Sequence, residues 1–106
     1  MKAKSEQIID IANIVAGYYG MTFEELIQKT NAREIVEPRQ VAHYLCCKHV
    51  RTTLSLIGNI VGGKDHATVL HSKNTVNNLI DTNRMIRDDI NYLNEKIIAR
   101  IEMQTL

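Results

Sequence analysis

The chain has 106 residues, 44% hydrophobic and 24% charged, with a formal net charge of +1; this is the length of one ordinary domain and leaves no room for a second independently folded unit. Apolar runs such as Ile97-Ile98-Ala99 fall far short of the roughly 18 residues a membrane span needs, and Glu6 and Asp10 interrupt any secretory apolar segment, so a soluble, cytoplasmic protein is expected. Cys46 and Cys47 are the only cysteines and, being adjacent, cannot close a loop of chain between them, which excludes a disulfide framework.

Helical periodicity runs from end to end, with no alternating strand pattern and no Asn-Gly or Asp-Gly hairpin signal. Ile8, Ile11, Ala12 and Val15 define a first amphipathic helix, with Gly20 placed to end it. Thr22 and Glu25 have capping-box spacing, predicting a short helix to about Gln28 that buries Phe23, Leu26 and Ile27. After Lys29-Thr30-Asn31-Ala32, Pro38 is expected in the first turn of a third helix, whose apolar stripe is Val41, Ala42, Leu45 and Cys46. Thr53 caps a fourth helix through Val61, broken by Gly62-Gly63. Asp65 caps a fifth, from His66 to about Leu79, with Val69, Leu70, Val76 and Leu79 or Ile80 turned inward. Ile86, Ile90, Leu93, Ile97 and Ile101 trace a long last helix, with Arg84-Asp88 and Arg87-Asn91 on its solvated side. The expected fold is all-α, a bundle of about six helices in one domain over residues 1–106, without linker or repeat.

The near-neutral total hides an uneven distribution. Residues 29–73 carry seven bases against three acids and all four histidines, while residues 1–28 and 74–106 are each slightly acidic; a local basic field of this kind can steer a polyanion. Within that stretch, a short helix, a glycine turn and a polar-fronted second helix, at about 53–80, have the layout of a helix-turn-helix. The first turn of the second helix, Lys64-Asp65-His66-Ala67-Thr68, offers an ammonium for phosphate, a carboxylate that can accept from cytosine N4, an imidazole, a methyl and a hydroxyl, and Ala67 or Thr68 can contact the thymine methyl. Spacing alone is equally consistent with a plain N-cap and a solvated first turn.

The run Gly62-Gly63-Lys64-Asp65-His66-Ala67-Thr68-Val69-Leu70-His71 resembles the signature of the C-terminal DNA-binding domain of the bacterial replication initiator family, DnaA. Pro38-Arg39-Gln40 and Leu54 to Gly58 extend the resemblance over roughly residues 6–95. It implies an all-helical domain containing a helix-turn-helix, a duplex ligand of the DnaA-box type, and replication proteins as further partners. By match, Asp65, His66, Ala67 and Thr68 would face bases, while Lys64, His71, Arg39 and Gln40 would lie near phosphates. Arg33, Lys48 and Leu54 fall on the same phosphate or minor-groove side.

Three positions depart from the family pattern. Ala67 stands where Thr is usual, keeping a methyl and losing a hydroxyl. Asn31 occupies the place of a minor-groove arginine in the 29–37 loop, with Arg33 close by and Glu34 and Glu37 adding negative charge. Cys47 replaces a phosphate-directed lysine, with Lys48 next to it. No G-x-x-x-x-G-K-[ST] sequence is present, so no nucleotide chemistry, cofactor or enzymatic activity is expected; the Met1 start before an amphipathic helix favours a stand-alone chain over an excised domain. His43, Cys46, Cys47 and His49 offer pairs at zinc-ligand spacing, but a tetrahedral site needs four ligands, and a buried Cys46 with partly exposed histidines accounts for the same residues, so no metal is expected. The competing reading is a protein-interaction or transcription-regulating module with an altered DNA face, using Ile97, Ile98, Ile101 and Met103 of the last helix as a partner surface.

Overall fold

Burial of Ile8, Ile11, Ala12, Val15 and Ala16 on one stripe makes α1 (Lys4–Tyr18) the first wall of the core. It ends where Gly20 takes φ +73°, with Met21 N–H donating to Ala16 O (2.9 Å) and Gly20 N–H to Gly17 O (3.2 Å), a Schellman ending that glycine permits. The computed structural model describes residues 2–105, and within them the chain runs α1, α2 (Phe23–Leu26), α3 (Arg33–His49), α4 (Leu54–Ile60), α5 (His66–Thr82) and α6 (Arg84–Thr105). The fold is all-α, with six helices as expected. No helix among the described residues is long and apolar enough to cross a membrane.

The caps read from the sequence form locally. Thr22 Oγ1 accepts from Glu25 N–H (3.1 Å) while Glu25 Oε1 accepts from Thr22 N–H (3.0 Å), so two backbone donors at the start of α2 are satisfied reciprocally. Only Leu26 of that turn is buried; Phe23 and Ile27 are half-buried. Asn83 joins α5 to α6 alone: its N–H closes α5 on Leu79 O (2.7 Å) and its Oδ1 caps α6 through Ile86 N–H (3.1 Å).

α3 is the central helix, packed against α1, α2, α4 and α5, and α6 closes the remaining side against α1 and α5. Leu26, Leu45, Ile57, Leu93 and Ile97 are wholly or almost wholly inaccessible where these helices meet, and each such side chain contributes about 1.5–3 kcal/mol relative to solvent. Tyr18 and Tyr19 donate to the two oxygens of Asp89 (2.5 and 3.2 Å), fastening the end of α1 to α6.

Three further expectations about the helices need correction. The third helix begins at Arg33, so Pro38 lies in its second turn, not its first, and the 29–37 loop shrinks to the residues before Arg33. The cost is small because the ring removes one intrahelical bond, to Glu34 O, close to the end where donors lack partners anyway, and half-buried Ile35 and Val36 hold the added turn down. Leu70 is 44% exposed, since the buried stripe of α5 is Val69, Ser72 and Val76. In α6, Ile90, Leu93 and Ile97 are buried but Ile101 is 39% exposed, because the helix outruns the bundle.

Candidate nucleic-acid interface

The helix-turn-helix is built on three glycines with two different tasks. Gly58 lies where α5 crosses α4: Lys64 N–H donates to Gly58 O (2.8 Å), and a Cβ at Gly58 would run into the Lys64 carbonyl and stand 3.0 Å from Val69 Cγ2. Gly62 turns the chain at φ +97°, followed by Gly63 at +60°, left-handed conformations that glycine adopts without steric cost. Thr53 Oγ1 caps α4 through Leu56 N–H (3.1 Å), and Asp65 Oδ1 caps α5 through Thr68 N–H (2.9 Å). The hydrogen bonds from Thr68, reinforced by nearby His66, hold the Asp65 carboxyl below its usual range.

Asp65, His66, Ala67 and Thr68 are all exposed at the positive end of α5. Past the first turn, Leu70, His71, Asn74 and Asn78 continue the exposed face, opposite Val69, Ser72 and Val76. Leu70 and Asn74 belong to this outward line although the sequence reading placed neither there; exposure opposite the buried stripe is the signal, and it requires knowing which stripe is buried. Lys64 is half-buried, with its stem against the Gly62 turn.

Beside this turn lies the loop between α2 and α3. Lys29 Cε comes within 3.4 Å of where a Gly63 Cβ would stand, so a cation not singled out from the sequence joins the neighbourhood of the turn. Asn31 and Arg33 are exposed, the latter ion-paired with Glu37 (2.8 Å) on the first turns of α3. Lys48 is exposed near the end of α3, and Leu54, half-buried, opens α4. Gln40 is half-buried. Arg39 stands apart from these: it is 4% exposed, its Nη1 donating to Gln28 O (2.6 Å) and its Nη2 to Thr30 O (3.0 Å). Two of its donors are thus engaged by main-chain carbonyls of the loop before α3.

One turn further along α3, His43 is 1% exposed, not partly exposed as expected. Its Nε2 lies 2.8 Å from Val61 O and its Nδ1 2.9 Å from Ser72 Oγ. A carbonyl only accepts, so Nε2 carries the proton and Ser72 donates to Nδ1. One imidazole thereby ties α3 to the end of α4 and the middle of α5, holding the helix-turn-helix on the bundle. Cys46 is buried with its Sγ on Ile8 O (3.9 Å), and burial pushes its thiol well above the usual range. His49 pairs with Asn94 (2.8 Å). Among the described residues no three His, Cys, Asp or Glu side chains gather as a metal set.

Comparison with known proteins identifies the family and the fold. A family described as "Bacterial dnaA protein helix-turn-helix" matches residues 8–76. Chromosomal replication initiator protein DnaA of Flavobacterium psychrophilum is 36% identical over 95 residues, covering 89% of this chain and 20% of that protein. The Bacteroides fragilis protein of the same name is 37% identical over 89 residues, covering 84% and 19%. A crystal structure of a DNA replication initiation factor superposes with a TM-score of 0.79 at 26% identity, covering 92% of this chain and 30% of that one. The chain thus spans about a fifth of the length of these curated relatives. On the matched residues and the shared fold, the chain belongs to the bacterial DnaA helix-turn-helix family.

Proposed function

We propose that the chain binds double-stranded DNA sequence-specifically, at sites of the DnaA-box type, and serves replication initiation or its regulation as a DNA reader, not as a catalyst. The observation that carries this reading is the exposed first turn of α5: Asp65, His66, Ala67 and Thr68 project from a helix N-terminus set by a glycine turn, with Lys29 and Lys64 beside it. A helix end so placed fits the major groove, where a carboxylate, an imidazole, a methyl and a hydroxyl can discriminate base edges. In this reading Lys64, Lys48, Arg33 and His71 serve the flanking phosphates. Ala67 in place of a hydroxyl residue narrows the contact at one base to its methyl.

Fluorescence anisotropy of the chain on a duplex carrying a DnaA box and on a scrambled duplex, each at several salt concentrations, tests the proposal. Tight binding that prefers the box and weakens steeply with salt through counterion release is the expected result. Equal affinity for both duplexes would move the target elsewhere. No binding at low salt would overturn DNA binding and favour a partner surface on α6, where Ile98, Ile101 and Met103 are 45%, 39% and 72% exposed while Ile97 is core.

A further inference from the structure

α5 and α6 are separated by one residue, yet their inward faces share one repeat. The inward line of α5 is Val69, Ser72 and Val76, buried, then half-buried Leu79; that of α6 is half-buried Ile86, then buried Ile90, Leu93 and Ile97. Asn83 falls between them, so the steps alternate three and four without a slip from position 69 to position 97. A 3.5-residue repeat of this kind is the seam of one long helix, and two helices that pack separately have no need to keep it in phase. The position shared by Val69, Val76, Ile90 and Ile97 is β-branched throughout, with Asn83 at its centre. No glycine or proline occurs in residues 64–106 to break such a helix. The break is Asn83 alone, extended at φ −126° and ψ 110°, its Oδ1 capping α6 through Ile86 N–H (3.1 Å). α6 is drawn back onto α1 by Tyr18 and Tyr19 on Asp89 and by Gln104 on Asp10 (3.2 Å).

We infer that α6 is an exchangeable arm: Asn83 turns helical, α5 and α6 join into one helix, and α6 leaves its own α1 for the α1 of a second copy, giving a two-fold dimer that swaps α6. Joining the helices gives the N–H groups of Arg84, Met85 and Ile86, which have no acceptor within α6, the carbonyls of Ile80, Asp81 and Thr82. Leaving the bundle uncovers Ile90, Leu93 and Ile97, and the surface that covers them equally well is the one they left, on another copy of the same chain. The unbroken phase sets both bundles on one side of the antiparallel pair of joined helices, as a two-fold axis between the two Asn83 residues requires. The cost falls on Asn83, which gives up its cap and becomes a polar group in the seam, where such a residue lowers stability and fixes register. Asn83 thus holds the balance towards the bent single chain. In the dimer the first turns of α5 lie at opposite ends of the joined pair.

Size-exclusion chromatography with light scattering, over a series of protein concentrations, tests the inference on the unaltered chain and two variants. Asn83→Ala removes the cap and favours the helix, which disfavours the bent form about fivefold per chain; with two chains in the dimer, dimerisation should tighten about thirtyfold. Arg84→Pro acts the other way. At the first position of α6 its missing N–H has no helical partner to lose, and the residue before it is already extended, as proline prefers. Within a joined helix the same ring would clash with the Ile80 carbonyl. The expected result is a concentration-dependent dimer of the unaltered chain, strengthened in Asn83→Ala and absent in Arg84→Pro. Absence of a dimer from both the unaltered chain and Asn83→Ala overturns the inference, and so does a dimer that Arg84→Pro leaves intact, which would rest on another surface such as Ile98 and Met103. Hydrogen exchange on the Asn83→Ala dimer keeps the test decisive if Arg84→Pro does not fold. The amides of Arg84 and Met85 should exchange slowly there and fast in the monomer, whereas fast exchange in both forms refutes the joined helix.

Discussion

His43 supplies a sharp test of how the helix-turn-helix is held. Both ring nitrogens are paired, to Val61 O and Ser72 Oγ, with 1% of the residue exposed. His43→Gln keeps one donor for Val61 O, but a single short amide cannot also serve Ser72, so one buried polar group loses its partner, at about 1–3 kcal/mol. The pH dependence is the more diagnostic part. Burial holds the His43 pKa below the ordinary histidine value, and the positive charges of Arg39 and Lys64 act in the same direction, against the opposing hydrogen bond to Val61. In the unfolded chain the ring takes up a proton near pH 6.5, whereas in the folded protein it stays neutral to lower pH. The unfolded state then binds more protons, so the contribution is full above about pH 6.5 and is lost as pH falls from there towards the folded-state pKa, with a limiting slope of about 1.4 kcal/mol per pH unit. Asp10, whose carboxyl is also held low, titrates in both proteins and cancels in the difference. Urea unfolding of wild type and His43→Gln at pH 7.5, 6 and 5 should show the stability gap closing on acidification below about pH 6.5. A gap that stays constant over that range would refute the neutral, doubly bonded histidine.

Gly58→Ala places a methyl against the Lys64 carbonyl, and because the obstacle is backbone the cost should reach the upper end of overpacking, about 3 kcal/mol, seen as a melting temperature lower by about 12–20 °C; a fall of only a few degrees would show that α4 and α5 part easily. Asp65→Asn keeps an oxygen for Thr68 N–H, so helix content should hold while base preference at one position relaxes; unchanged preference in binding to a panel of single-base-pair variants would confine Asp65 to capping. His66→Ala should cost about 1–3 kcal/mol on the preferred duplex and little on random duplex, and equal losses on both would remove His66 from base reading. Lys64→Ala should weaken all sequences alike and flatten the salt slope by about one, to be checked in the same titrations.

What the sequence determined by itself is local. The stripe of Ile8, Ile11, Ala12 and Val15, the Thr22–Glu25 box and the caps at Thr53 and Asp65 depend on residues three or four apart, a distance over which pattern and chemistry are directly readable. The glycine turn between α4 and α5 was legible for the same reason, and with it the residues that front α5. Tertiary structure decided the rest. Periodicity shows that a side chain belongs to one side of its helix but not what stands opposite: Leu70 is left exposed away from the Val69, Ser72 and Val76 stripe, and Ser72 can sit in that stripe because His43, 29 residues earlier, accepts its hydrogen bond. Pro38 marks a helix start when only its missing N–H is considered, yet half-buried Ile35 and Val36 extend α3 by more than a turn beyond it. Arg39 is a cation in a basic stretch by sequence; it becomes a clamp only because folding brings the Gln28 and Thr30 carbonyls, and the Gly62 turn 23 residues on, around its guanidinium. A buried polar side chain is stable only with partners, and here those partners come from distant parts of the chain.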